Sequence, residues 1–218
     1  MSNKTLKHNK TIKEHILKQV LESGEYPYIY SVLQFGFYDD NGFKLPISDI
    51  RKFWDKTEVE RTNRLIKNML REAFGIQQTY FFLERHSPLY DEYGDISSEG
   101  RYHVNIITTQ IPDSAIEEPN RKCRKLMLED DSYMGVPIAN RVYGDLDEMK
   151  IELFNACCRK ANWVNRYKWS VKTQMLYDPA DIESCVFYCL KEFSPNKGKD
   201  FMDVVDFHNS DFYNPEAN

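Results

Sequence analysis

No two cysteines in the chain stand at CxxC spacing. The five present, Cys123, Cys157, Cys158, Cys185 and Cys189, are odd in number, and no signal peptide is expected ahead of them. That suits a reducing compartment better than a disulfide framework. Cys185 and Cys189 are one helical turn apart and could face a metal, but they and the adjacent Cys157 and Cys158 are read as small buried hydrophobes. A long apolar run is also missing. Nothing approaches the roughly 18 to 20 residues of a membrane-crossing helix, so no membrane partner is expected. The opening MSNKTLKHNKTIKEH has no apolar core of secretory type, and the expected location is the cytoplasm. Nor is positive charge in excess: the net charge is −5 and the pI near 5.6, which counts against non-specific wrapping of nucleic acid.

What is present describes a soluble globular protein. Hydrophobic residues make up 41% and charged residues 29% of 218 positions, enough chain for one domain with small appendages and short for two. Repeats and low-complexity segments are absent. Charge is segregated along the chain. Basic residues cluster at Lys4 to Lys13, at Arg121 to Lys125 and from Arg159 to Lys172, whereas acidic residues gather at Glu129 to Asp131, Asp145 to Glu148 and Asp200 to Asp211. A local basic surface fits this distribution, and so do solvated faces of both signs.

Local signals divide the chain into elements. Thr11 opens TIKE, a capping-box pattern, and Ile12, Ile16, Leu17, Val20 and Leu21 recur at helical spacing up to Gly24, which predicts an N-terminal helix within residues 1–24. Tyr28 to Phe37 reads as a buried strand, DDNG at Asp39 to Gly42 as a turn, and Ser48 as a helix cap. From about Thr57 an apolar stripe of Val59, Leu65, Ile66, Met69, Leu70 and Ala73 runs to a stop at Gly75. Thr79 to His86 and Arg101 to Ile111 read as antiparallel strands joined by a long loop. Pro112 to Glu118 reads as loop, and Asn120 to Asn140 as a short helix with an irregular connection. Asp145 to Asn162 is helical, Lys168 to Tyr177 a strand, and a last helix begins near Pro179. Residues 195–218 form an acidic tail expected to be ordered in part at best. The order β, α, β, β, α, β, α implies an α+β fold, an antiparallel-rich sheet with helices on its faces.

The run RYHVNIITTQ carries the first chemical signal, because alternation along a strand puts His103 and Asn105 on one face and Val104 and Ile106 on the other. Glu84 joins them if the neighbouring strand has a suitable register. Imidazole, carboxylate and amide oxygen are a mixed ligand set that suits Mn²⁺ or Mg²⁺ more than structural zinc, with positions left open for a substrate phosphate. His86, two residues from Glu84, is a further candidate, while His8, His15 and His208 sit in terminal or exposed contexts. Tyr188 and Lys191 stand at i and i+3 on the last helix. A phenol ionises near pH 10 and is a poor nucleophile near neutrality, so a metal on the phosphate and a lysine beside the tyrosine are what would activate it.

FLERH, then GRYHVN, then YCLK resembles the three motifs of the HUH endonuclease superfamily, and within it the rolling-circle replication initiators. The apolar run YSVLQFGF is similar to that family's first-strand motif, and the resemblance spans roughly residues 28 to 193. It implies an HUH-like endonuclease domain over residues 25–194 with an RRM-like core. It assigns Glu84, His103 and Asn105 to the Mn²⁺ or Mg²⁺ ligands, Tyr188 to the nucleophile and Lys191 to the motif lysine, with Gly100 and Arg101 near the entering strand. The implied reaction is site- and strand-specific cleavage and rejoining of single-stranded DNA through a 5′-phosphotyrosine intermediate, starting replication of a plasmid or phage-like element. The family's second histidine is Asn105 here, a weaker ligand. No GxxxxGK loop occurs, so unwinding implies a separate host helicase acting on single-stranded or hairpin origin DNA. A relaxase or a transposase shares the chemistry, and a non-catalytic DNA-binding protein is the reading from another class. Trp54, Trp163, Tyr167 and Trp169, the last three interleaved with basic residues in RKANWVNRYKW, could stack unpaired bases or simply fill the core.

Overall fold

The computed structural model describes residues 3–22, 26–34, 55–85, 89–90, 96–98, 102–129, 136–161, 170–191, 193 and 201–212. Gly24, residues 35–37, the Asp39 to Gly42 turn, Ser48, Trp54, His86, Gly100, Arg101, Trp163, Tyr167 and Trp169 lie outside these residues.

Helix α1 (Asn3–Glu22) begins ahead of Thr11, because NKTLKHNK contains neither glycine nor proline and the helix propagates through it, leaving the capping-box threonine in its interior. Its inner side buries Ile16 and Val20, and the Tyr28 hydroxyl donates to the Val20 carbonyl at 2.7 Å. Strand β1 (Tyr28–Gln34) follows, then α2 (Lys56–Phe74). The Asp55 side chain accepts from the Thr57 amide at 2.8 Å to start α2, and Gly75 ends it in the left-handed region at φ 72°, as its position after the apolar stripe predicts.

Strand β2 (Thr79–Arg85) pairs antiparallel with β5 (Tyr102–Thr109), as expected. Within the intervening loop, β3 (Leu89–Tyr90) and β4 (Ile96–Ser98) form a small ribbon of their own. Pro112 to Glu118 departs from the expected loop: α3 (Asp113–Glu117) is a single short helix, too brief to show periodicity. In α4 (Arg121–Glu129) the exposed side carries the basic cluster, while Cys123, Leu126 and Met127 turn inward. Asn120 ties the start of α4 to the end of α2, accepting from the Lys122 and Cys123 amides at 2.9 Å and donating to the Glu72 and Ala73 carbonyls at 3.0 Å. After a 3₁₀ turn (Ile138–Asn140) come α5 (Leu146–Ala161), β6 (Ser170–Leu176) and α6 (Pro179–Cys189).

The result is an α+β fold built on a four-stranded sheet of order β2-β5-β1-β6, every neighbouring pair antiparallel. One face carries Ile29, Leu33, Phe81, Leu83, Val104 and Ile106 against α2, α4 and α5. The other carries Tyr28, Tyr80, Phe82, Ile107 and Leu176 against α1 and α6. Both layers are apolar because strands covered on two sides need no polar face. His103 and Asn105 belong to the α1 and α6 side of β5, where they place buried polar side chains in that layer.

The acidic C-terminal segment is a working part of the sheet edge over residues 201–212. After α7 (Phe201–Val204), Val205 bridges to Phe82, the Asp206 amide donates to the Phe81 carbonyl at 3.0 Å and the Asp211 amide to the Thr79 carbonyl at 2.9 Å. This strap covers the outer edge of β2, an edge that would otherwise present unpaired backbone groups. Its carboxylates are docking groups: Asp211 meets Lys67 at 2.7 Å and Arg71 at 2.6 Å, and Asp206 is buried against Asn63 and Asn209. Composition reads such a run as solvated tail because the complementary groups lie far upstream, on α2.

Candidate active site

The register of β2 on β5 sets Glu84 directly opposite His103. Both side chains project from the α1 and α6 face, and His103 Nε2 lies 2.7 Å from Glu84 Oε2. His103 is almost fully covered, and Glu84 is half-buried at the rim. The second carboxylate oxygen is also engaged, since Lys191 Nζ lies 2.8 Å from Glu84 Oε1. Lys191 Nζ in turn stands 3.7 Å from the centre of the Tyr188 ring. Four residues thus form one chain of contacts, from a pair of adjacent strands to the end of the last long helix.

Tyr188 and Lys191 are neighbours by a route slightly different from the one expected. Helix α6 starts at the Asp178 cap, whose side chain accepts from the Asp181 amide at 2.9 Å, and stops at Cys189. Lys191 sits two residues beyond, its amide donating to the Tyr188 carbonyl at 3.1 Å. The lysine is therefore at the C-terminal end of a helix, where a cation is favoured by the helix dipole. Tyr188 is 49% exposed and open to a ligand from solvent.

Burial alone pushes the Glu84 carboxyl up, but hydrogen bonds from His103 and Lys191, with their charge, outweigh it and bring the group down to about 2 from an ordinary 4.5. For Lys191, burial pulls the ammonium down, and hydrogen bonds to Glu84 and Tyr188 prevail and hold it above its usual value. Near neutrality Glu84 is a carboxylate and Lys191 an ammonium. A depressed carboxyl contributes stability that is complete above its unfolded value and is lost as pH falls toward its folded one. In chelator-treated protein, stability should therefore fall between about pH 4.5 and about pH 2. Urea midpoints measured across the upper part of that window should drop more steeply in wild type than in Glu84→Gln; parallel curves would remove this assignment.

Asn105 shares the face and lies one residue pair further along, opposite Phe82 on one side and Val32 on the other. It is fully buried, and its Oδ1 accepts a hydrogen bond from the Tyr30 hydroxyl at 2.9 Å. The other end of the amide, Nδ2, is buried with no hydrogen-bond partner among the described residues. Tyr30 did not stand out in the sequence. Its signal was a phenol at an inward position of β1, and only the β1–β5 register turns that phenol toward Asn105. Burial first, then Cys189, Cys185, Tyr188 and Glu84 nearby, raise the Tyr30 phenol far above its ordinary value, so it acts as a neutral hydrogen-bonding group.

Among the described residues no three or more His, Cys, Asp or Glu side chains come together as a metal cluster. Cys189 is buried and Cys185 partly so, and burial raises both thiols, Cys185 to about 11, which supports their reading as core residues. His15 faces outward on α1 against Gln19, and His208 is exposed. The remaining donor set is imidazole, carboxylate and the Asn105 amide. Two of its atoms, Nε2 and Oε2 at 2.7 Å, are near the roughly 3 Å that separates adjacent ligands of an octahedral ion with bonds of about 2.1 Å. The Asn105 amide on the same face adds a third potential donor through its carbonyl oxygen, which in this structure accepts from Tyr30. In donor chemistry this set fits Mn²⁺ or Mg²⁺.

Compared with family models, with curated proteins and with solved structures, the chain has no match, and its functional reading rests on the fold and this site.

Proposed function

We propose that this chain is a metal-dependent, site- and strand-specific nuclease and strand transferase of the HUH type that acts on single-stranded or hairpin DNA. The observation that carries the reading is the contact chain His103–Glu84–Lys191–Tyr188, in which strand-borne ligand candidates and a half-exposed tyrosine converge across more than 80 positions of sequence. The sheet supports it as well. A β-α-β-β-α-β succession with the two strands β1 and β5 at the centre agrees with the split βαβ order expected of an RRM-like core and so supports the reading.

In the proposed reaction the Tyr188 oxygen attacks a DNA phosphorus. The new bond is tyrosine oxygen to phosphorus, the bond broken is phosphorus to the 3′ oxygen, and the products are a 5′-phosphotyrosine and a 3′-hydroxyl. The phenolic proton leaves to solvent, to which Tyr188 is open, and water returns one to the departing 3′ oxygen. Lys191, kept charged by Glu84 and Tyr188, stabilises the phenolate and is no base. Glu84, His103 and Asn105 would hold the Mn²⁺ or Mg²⁺ ion, which when bound polarises the phosphate. A free 3′-hydroxyl primes synthesis, so initiation of rolling-circle replication, with a separate helicase, is the role proposed over relaxase or transposase. A second reading, a DNA-binding protein without catalysis, is favoured by one observation: the Asn105 oxygen is already taken by Tyr30.

Incubation with a pool of single-stranded hairpin oligonucleotides and Mn²⁺ should yield a denaturation-resistant protein–DNA species whose peptide mass maps to Tyr188. Binding without an adduct at any Mn²⁺ concentration would move the assignment to the second reading.

A further inference from the structure

Asn105 poses a chemical problem that Tyr30 answers. A fully buried amide has one end hydrogen-bonded and the other without a partner among the described residues, although buried polar groups are nearly always paired. The two ends of the amide have almost the same shape, and the tyrosine hydroxyl can either donate to oxygen or accept from nitrogen. Tyr30 therefore holds whichever end faces it and leaves the opposite end bare. A bare NH₂ finds no acceptor among the described residues. A bare carbonyl oxygen, on the same side of β5 as His103, is a ligand for a hard cation.

We infer that Tyr30 is the positioning residue of the site: it anchors the Asn105 amide by one end and presents the other as the third donor beside Glu84 and His103. With the ion bound, the amide is turned so that Nδ2 donates to the Tyr30 oxygen and Oδ1 is the free end. The pair Tyr30 and Asn105 thereby does from two strands what one histidine would do from β5 alone. This rests on the metal-dependent reading above, and it adds a residue of β1 to a site otherwise drawn from β2, β5 and α6.

The test is Mn²⁺ affinity, read by loss of the free-ion electron paramagnetic resonance signal, in wild type, Tyr30→Phe, Asn105→Ala and the double variant. Partners that orient a metal ligand typically contribute a factor of about 10 to 100 in affinity. Tyr30→Phe should therefore weaken binding about tenfold in wild type, and by less than about twofold when Asn105 is already alanine. Tyr30→Phe with wild-type affinity overturns the inference, as does an equal loss in both backgrounds, which is what a packing role alone would give. Absence of saturable Mn²⁺ binding in wild type overturns the metal-dependent reading, and this inference with it. That outcome is distinct from wild-type binding that Tyr30→Phe leaves untouched. Thermal midpoints of the four proteins separate loss of affinity from loss of fold.

Discussion

Tyr188→Phe is expected to leave the fold intact and to reduce strand cleavage on the order of a thousandfold or more, with no covalent adduct. The substitution removes one hydroxyl from a side chain that is 49% exposed, so it strands no buried group and leaves the ring beneath the Lys191 ammonium. What is lost is the hydroxyl proposed as the nucleophile, while the ring contact with Lys191 is kept. Tyr30, the nearby phenol described above, cannot take over. It is committed to Asn105, partly buried and held neutral by that burial, so it is not poised to ionise. Gel analysis of nicked oligonucleotide, alongside a thermal midpoint within about 2 °C of wild type, checks the prediction, since a substitution without a buried consequence changes stability little. Cleavage that survived the change would exclude Tyr188 as nucleophile.

Asp206→Ala should destabilise the protein by about 3 kcal/mol or more. Asp206 is 1% exposed and accepts from Asn63 Nδ2 at 2.9 Å, Asn209 Nδ2 at 2.7 Å and the Asn209 amide at 3.2 Å. Alanine leaves these donors in a site closed to water, and each stranded buried donor costs about 1 to 3 kcal/mol. Asn209 also donates to the Glu60 carbonyl at 2.9 Å, so part of the network survives and the total stays below the simple sum. At about 2 to 4 °C per kcal/mol for a domain of this size, the thermal midpoint should fall by roughly 10 °C. Glu183→Ala, on the exposed side of α6, should stay within about 0.5 kcal/mol. An unchanged urea midpoint for Asp206→Ala would mean that the strap is dispensable to the fold.

Much of the architecture was legible because its signals are local. Gly75 ends α2 where the apolar stripe ends, since a helix stop needs only a residue that tolerates the left-handed region. The alternation in RYHVNIITTQ put His103 and Asn105 on one face, because a strand reverses its side chains at every residue. α3 escaped because a helix of five residues shows no period, and the start of α1 was misread because a capping-box pattern can occur inside a helix whose flanking residues also favour one.

The chain by itself determined most of the strands and helices, α3 and the start of α1 excepted, and which side of a strand each candidate ligand takes. Those properties depend on neighbours a few positions away. Only the tertiary structure decided that Glu84 lies opposite His103, that Lys191 spans from Glu84 to Tyr188, and that Tyr30 holds Asn105. It also decided that the acidic segment at 201–212 docks on α2 and the edge of β2 rather than remaining in water. The reason is common to all four. Strand register and helix docking come from burying two whole apolar layers at once, and that sum over distant residues has no signature in any short stretch of sequence.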